Sequence, residues 1–523
     1  MTSTSKVCTD RSSVMGASFL RPPLSVVSFA EKNSAFVIAI LLAVTSMVYL
    51  TYLKAQTNSL GFPLDDSWIY QTFARNLVSY GYFIYTQGTT AGAMTSPLWT
   101  VWLAAGYALG IDFRVWAYLS GIFALFVLSL MSRQLSLLLF PERRLAALAT
   151  AVFVALDWHL TWAAFSGMET IPFAALTLAL MYAALIQGRA WIIGLVAGAL
   201  LVMRPEGILL TALVVAYSLW NCYRARDSLG KCLHELALLF LGFAIFAIPY
   251  AWLNWSLSGS VLPTSVFAKQ ALYGDDAGIK AYLTFLVHAT NMLFFGQGAT
   301  FLLLPGLFFC LKQITGSRSL NQALPLAWVA LLFVAHGVRV PQVFHNGRYL
   351  MPLIPIVILS GLAGTQQFLA WLQGKALYKF AGAYVVVTAI AAIVFWYKGA
   401  EILALTSAII NDQQVATAKW LAQNTPEGSI VATHDIGAIG YFSNRQIFDT
   451  AGLISPETIP YIHNQERLLA MAKDHGARYI AFFPDWYPSL VGMPGAKEVF
   501  EANSKLLVDL KLHNMVVYDL SQD

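Results

Sequence analysis

FVIAILLAVTSMVYLTYL, residues 36–53, is an unbroken apolar run without a charged side chain. It is long enough to cross the hydrocarbon core of a bilayer as a helix. The residues before it are polar and carry Lys6, Arg11, Arg21 and Lys32, and no small-residue cleavage site follows it. The run reads as a retained signal anchor, with residues 1–35 as a cytoplasmic polar tail. The rest of the chain agrees. Of its 523 residues, 58% are hydrophobic and 11% charged, and mean hydropathy is +0.63. Soluble domains run at about 45–50% apolar and about 25% charged. So few charges cannot coat a water-facing surface, which excludes a soluble globular protein, a disordered chain and a nucleic-acid binder.

Outward from residue 53, a polar-aromatic loop runs over residues 54–97. LWTVWLAAGYAL at 98–109 is short and aromatic, and Trp99, Trp102 and Tyr107 suit the headgroup zone. Read as an interfacial helix, it sets the phase of every later span. Hydropathy then gives about 11 spans up to residue 397. The cytoplasmic side receives 15 Lys/Arg and the outer loops 8. Asp65, Asp66, Asp112, Asp157, Glu169, Glu206, Asp275 and Asp276 all fall outside. This is the positive-inside pattern, so the net charge of +5 is an orientation signal. No repeat of 20–50 residues is visible.

Residues 398–523 differ in character, with 9 Lys/Arg against 14 Asp/Glu. Strands are expected at 429–433, 446–449, 479–483 and 515–518, with helices at 412–423 and 466–475. The expectation is an α-helical polytopic membrane domain over 36–397 and an extracytoplasmic α/β domain over 398–523. Cys8, Cys222, Cys232 and Cys310 fit no metal spacing and read as free thiols.

The chemistry is expected among the outer charges. Asp65 and Asp66 sit in the loop after the first span. Either could accept a proton from a hydroxyl as general base, or serve in the first turn of a helix. Arg75 and Asn76 lie on that same helix. Glu169 ends SGME, which has capping-box spacing, but it could also face the outer cavity. His159 reads as an interfacial hydrogen-bonding residue rather than a metal ligand. In RPEG, Pro205 and Glu206 suit a helix start, which leaves Arg204 unexplained. Arg204, Lys269 and Arg348 are candidates to hold a lipid phosphate, although each singly could be snorkelling. Three cations and three acids on one face point to a charged site.

LDDSWIYQTFARNLVSYGYFIY with MTSPLW, then SGMET, RPEG, GSVLPTSVFAK and NGRYLMPLIP, occur in that order through residues 60–350. This order resembles bacterial GT-C glycosyltransferases that use polyprenyl-phosphate sugars. The similarity is greatest to the group of the mycobacterial terminal arabinofuranosyltransferase. Lipid A aminoarabinose transferases and protein O-mannosyltransferases are more distant. GAIGYFSNRQIFDTAGL, 437–453, resembles the extracytoplasmic domain attached to such enzymes.

The resemblance implies a GT-C fold and a donor bound in an outer-facing cavity. It implies Asp65 or Asp66 as base, with a slight preference for Asp66; Glu169 stands beside them as a catalytic candidate on its own reading, a second acid facing the same outer cavity. Arg204, Lys269 and Arg348, with Arg75 nearby, would offset the donor phosphate. Direct attack with inversion would move the sugar to an acceptor hydroxyl on an envelope glycan, lipid or protein. The acid such loops often carry before TSPLW is absent here, where the chain reads TTAGAM. Some members use a divalent metal; no ligand set is visible in this chain, and no cofactor is expected. The location implied is the inner or plasma membrane, with lipids as neighbours and no nucleic acid. Two other classes remain at this point: a flippase for lipid-linked sugars, and a non-catalytic scaffold that binds envelope glycans.

Overall fold

The computed structural model describes residues 31–57, 59–86, 94–274, 278–296, 299–373 and 376–521. Lys6, Cys8, Arg11 and Arg21 of the tail, Asp275, Asp276, Lys375 and the TTAGA stretch at 89–93 lie outside the described residues.

Seven described helices are long and apolar enough to cross a membrane: Ser34–Thr57, Phe113–Leu139, Gly207–Ala225, Leu229–Ser258, Leu320–Arg339, His345–Leu372 and Ala381–Asn424. Arg144–Leu156 and Trp158–Ala164 form an eighth if taken as one span bent by 54°. The bend falls at Asp157, whose carboxylate accepts the Leu160 N–H at 3.0 Å and so starts a new helix. Thr170–Leu185, Ala190–Met203 and Ile279–Phe295 are apolar but shorter. These short helices account for the larger number expected from hydropathy. LWTVWLAAGYAL lies in the 12-residue helix Pro97–Ala108 with Leu109 as its C-cap, too short to span. The protein is multi-pass.

The first span shows how the bundle closes. Its buried positions are Ser34, Ile38, Leu42, Thr45, Tyr49 and Leu53, one stripe at three- and four-residue spacing. The other faces are apolar as well, with Phe36 62% and Met47 74% exposed, as a lipid-facing helix requires. The Tyr49 hydroxyl donates to the Trp396 carbonyl at 2.6 Å, and the Trp396 indole donates to Thr45 at 3.2 Å. First and last spans are therefore clamped together.

The last span does not stop at residue 397. It runs on through a π-turn at Asn411–Val415 to Asn424. Gln413 in that turn donates to Asn514 at 2.8 Å and accepts the Met515 N–H at 2.7 Å. The membrane helix is thereby built into the C-terminal domain.

That domain holds a five-stranded sheet of order β2-β1-β3-β5-β4. The strands are β1 Ile430–Thr433, β2 Gln446–Asp449, β3 Ala477–Phe482, β4 Lys497–Glu501 and β5 Val516–Asp519. β1 pairs parallel with β2 and β3, whereas β5 pairs antiparallel with β3 and β4. β4 was not expected, because KEVFE carries three charges; at the sheet edge those charges face water. The glycine-rich HDIGAIGYF contains the helix Ile436–Phe442, buried along its first five residues.

Candidate active site

The helix Asp65–Tyr80 is the centre of the site. Pro63 precedes it, and the two aspartates occupy its first turn, where negative charge suits the helix dipole. Leu64 at the N-cap offers no side-chain bond. Ser67 donates to the Ser166 carbonyl at 2.6 Å, which fixes this turn against the loop that carries Glu169.

The two aspartates part company. Asp65 turns to the C-terminal domain and accepts the N–H groups of Gly437 at 2.7 Å and Ala438 at 2.8 Å. It caps the helix Ile436–Phe442 from another part of the chain. Burial, together with the Asp435 carboxylate, pushes the Asp65 carboxyl above its usual range, against the two amide bonds that favour its ionised form. Only glycine fits at position 437, since a Cβ there would lie 2.6 Å from Asp65 Oδ2 and closer still to its carbonyl oxygen. Gly437→Ala is expected to loosen this docking, with amide exchange at Ala438 faster by about tenfold or more by hydrogen-exchange mass spectrometry.

Asp66 turns the other way and pairs with the Arg348 guanidinium. Burial would raise its carboxyl, but Arg348, then Lys269 and His345, outweigh burial and hold it well below the usual carboxylate range. Arg348 is reached by a run of left-handed residues, His345 (φ 49°), Asn346 (φ 57°) and Gly347 (φ 74°). Its side chain is 3% exposed. Nη2 bonds Asp66 and lies 3.2 Å from the Tyr349 hydroxyl, while buried Nε and Nη1 have no partner among the described residues. Lys269 donates to the same hydroxyl at 3.0 Å and has no carboxylate partner among the described residues.

Arg204 is fully engaged. It pairs with Glu169 and with Glu206, both at 3.0 Å, and is 4% exposed. Arg204 overcomes the burial of Glu206 and lowers that carboxyl to about 2. The capping box read at SGME does not form: Glu169 makes no cap bond and reaches Arg204 instead. The second oxygen of Glu169 is buried without a partner among the described residues. Asp66, Glu169, Arg204, Lys269, Arg348 and Tyr349 together line one small polar cleft. That cleft shares Asp66, Lys269, Arg348 and Tyr349 with a cavity of about 410 Å³ between bundle and C-terminal domain. Arg75 is not brought in. It donates to the Tyr441 carbonyl at 2.9 Å and lies 4.6 Å over the Tyr441 ring, so it fastens the C-terminal domain. His159 is buried beside Trp158 in the bent pair, away from the cleft.

The residue that sequence reasoning missed is Tyr349. Its ring lies 4.7 Å from Arg204, 5.1 Å from Arg348 and 5.6 Å from Lys269, so three cations surround one aromatic ring. The signal was its place beside Arg348 in NGRYLMP. Among the described residues no group of three or more His, Cys, Asp or Glu side chains is arranged to hold a metal ion. The cleft carboxylates are each bound to a guanidinium, a donor set that does not fit a divalent cation.

No curated protein matches the chain in sequence. Residues 407–517 match the family model described as a domain of unknown function, DUF8728. Among solved structures, ArnT from Cupriavidus metallidurans bound to undecaprenyl phosphate superposes with a TM-score of 0.59 at 15% identity, over 92% of this chain and 97% of that one. The archaeal oligosaccharyltransferase AglB from Archaeoglobus fulgidus, in complex with an inhibitory peptide and a dolichol-phosphate, gives 0.58 at 14% identity, over 87% and 70%. The arabinofuranosyltransferase AftD from Mycobacteria superposes less well, at 0.46 and 15% identity over 92% and 41%. At these identities the likeness concerns architecture, and the chain has the fold of the GT-C glycosyltransferases.

Proposed function

We propose that this protein is an integral membrane glycosyltransferase. It moves a sugar from a polyprenyl-phosphate donor to an acceptor hydroxyl of an envelope glycan, lipid or protein. The reaction takes place at the outer face of the inner or plasma membrane, the side assigned by the distribution of basic residues. The observation that carries this reading is Arg348: a buried guanidinium with two nitrogens unpartnered among the described residues, beside a Lys269 that bonds the Tyr349 hydroxyl but no carboxylate among them, in the cleft that also holds Asp66. Buried N–H groups without acceptors are costly, and phosphate oxygens are the acceptors that match an arginine fork. The undecaprenyl phosphate and dolichol-phosphate bound to the two structural neighbours support a lipid phosphate here.

Asp66 takes the proton from the acceptor hydroxyl as its oxygen attacks the anomeric carbon. The bond from that carbon to the phosphate oxygen breaks, with inversion. The leaving phosphate gains charge, which Arg348 and Lys269 stabilise. Alone, the Arg348 pair makes Asp66 a weak base. An arriving phosphate competes for both cations and restores its basicity, so base strength is coupled to donor occupancy. Arg204, neutralised by two carboxylates, holds Glu169 in place, and the free oxygen of Glu169 accepts a donor-sugar hydroxyl. No metal is required in this scheme. A flippase would want its charges at the bilayer midplane within broken helices; here the cleft charges collect at the end that carries the C-terminal domain.

The test is transfer by the purified full chain from radiolabelled polyprenyl-phosphate sugars, with and without EDTA. Label should leave the lipid in both conditions; label retained on every donor would sink the reading, and loss with EDTA alone would sink the metal-free scheme. Gly347→Ala probes the Arg348 support. A side chain at φ 74° costs about 1–2 kcal/mol, and its Cβ would lie 2.6 Å from Met292 Cγ. Polyprenyl-phosphate binding, measured by native mass spectrometry, should weaken by about tenfold or more.

A further inference from the structure

The wall of the large cavity opposite Asp66 belongs to the C-terminal domain, and nothing in the transfer chemistry uses it. His434, Asp435, Trp486 and Tyr487 line it. We infer that these four residues form an acceptor subsite that takes one sugar residue of a glycan; this deepens the proposed transfer and rests on it for the word acceptor.

His434 is the first observation. It is 7% exposed, and neither ring nitrogen has a hydrogen-bond partner among the described residues. Asp435 Oδ1 stands 3.7 Å from Nε2, beyond hydrogen-bond distance. Burial lowers the His434 pKa, against the pull of Asp435, so the ring is neutral near pH 7. A neutral imidazole presents one donor and one acceptor. Gln414 lines the same wall, donates to Asp435 at 2.8 Å, and has a buried Oε1 without a partner among the described residues. Donors and acceptors left open side by side suit hydroxyl groups, each of which is both.

The aromatic faces are the second observation. The Trp486 ring lies 4.8 Å from the His434 ring and that of Tyr487 5.1 Å from it, and Trp486 is 60% exposed. A flat amphipathic ring beside polar groups matches a sugar, which has an apolar C–H face and a polar rim. Among the described lining residues the cations of Lys and Arg type are Lys269 and Arg348, beside Asp66, whereas this wall adds Asp435 and Asp485, the latter bonded to His513 at 2.7 Å. A phosphate fits at Lys269 and Arg348 and a neutral glycan at this wall, with its hydroxyl turned toward Asp66.

The experiment is saturation-transfer NMR on the detergent-solubilised full chain. The probes are arabinan, mannan and galactan oligosaccharides and a serine- and threonine-containing peptide. At least one oligosaccharide should receive saturation at its ring C–H protons, and its apparent affinity should fall about tenfold in Trp486→Ala and in His434→Gln. Trp486 is exposed, so its variant tests the wall even if the buried His434→Gln fails to fold. Three outcomes overturn the subsite: no oligosaccharide binds, only the peptide binds, or binding is unchanged in Trp486→Ala. Binding is read without turnover. Sugar binding with no transfer from any donor would sink the transferase and leave the subsite standing; transfer without sugar binding would do the reverse.

Discussion

Asp66→Asn is expected to lower the transfer rate by roughly 10²–10⁴-fold, the range for loss of a general base. Asparagine keeps the shape of the side chain and cannot take the proton. Donor binding should survive or tighten, because Arg348 loses its anionic partner and keeps its charge. Asp65→Asn is the control that gives the prediction its edge. Asp65 spends both oxygens on the amides of Gly437 and Ala438 and faces away from Arg348. Its variant should keep activity within about tenfold, with a looser C-terminal domain as its main effect. Single-turnover transfer in the two variants decides between them. Equal losses in both would remove Asp66 as the base.

Arg348→Gln is the second large effect, with a loss of roughly 10²–10³-fold in kcat, as when one preorganised donor to a developing oxyanion is removed. Glutamine approximates the volume without the charge or the fork. Arg348→Lys should rescue only partly, because a point charge cannot hold Asp66 and span two phosphate oxygens together. A pH profile gives an independent readout. The folded carboxyl of Asp66 is depressed, so its pair with Arg348 is present above the unfolded value of about 3.9 and is lost as pH falls through the lower folded value. The acid limb of kcat/KM attributable to Asp66 should therefore lie below the ordinary carboxylate range in the wild type. In Arg348→Gln only Lys269 and His345 remain to oppose burial, and that limb should move up.

The first apolar run was legible because length and hydropathy alone decide whether a helix can span, and residues 36–53 lie within the helix Ser34–Thr57. Four of the five strands were legible as short apolar runs; β4 was hidden by its charges. The cluster of Asp66, Glu169, Arg204, Lys269 and Arg348 was legible as outer-loop charge, but its pairing was not. Adjacent residues on a helix point about 100° apart, so one of Asp65 and Asp66 had to face elsewhere. Which one depends on a helix 372 residues further on. The capping box failed for a similar reason: a local bond competed with Arg204, 35 residues away, and an ion pair between two buried groups won. Arg75 was misdirected toward the site because its partner, Tyr441, lies in a domain whose docking face the sequence does not mark.

In the proposed reaction the cleft around Arg348 and Lys269 holds a lipid-linked sugar by its phosphate. Mass spectrometry of lipid that co-purifies with Asp66→Asn tests it most directly, since that variant should bind donor and not consume it. The expected result is a polyprenyl phosphate still carrying its sugar, absent from Arg348→Gln prepared in the same way. Bulk phospholipid alone in both preparations would contradict the claim.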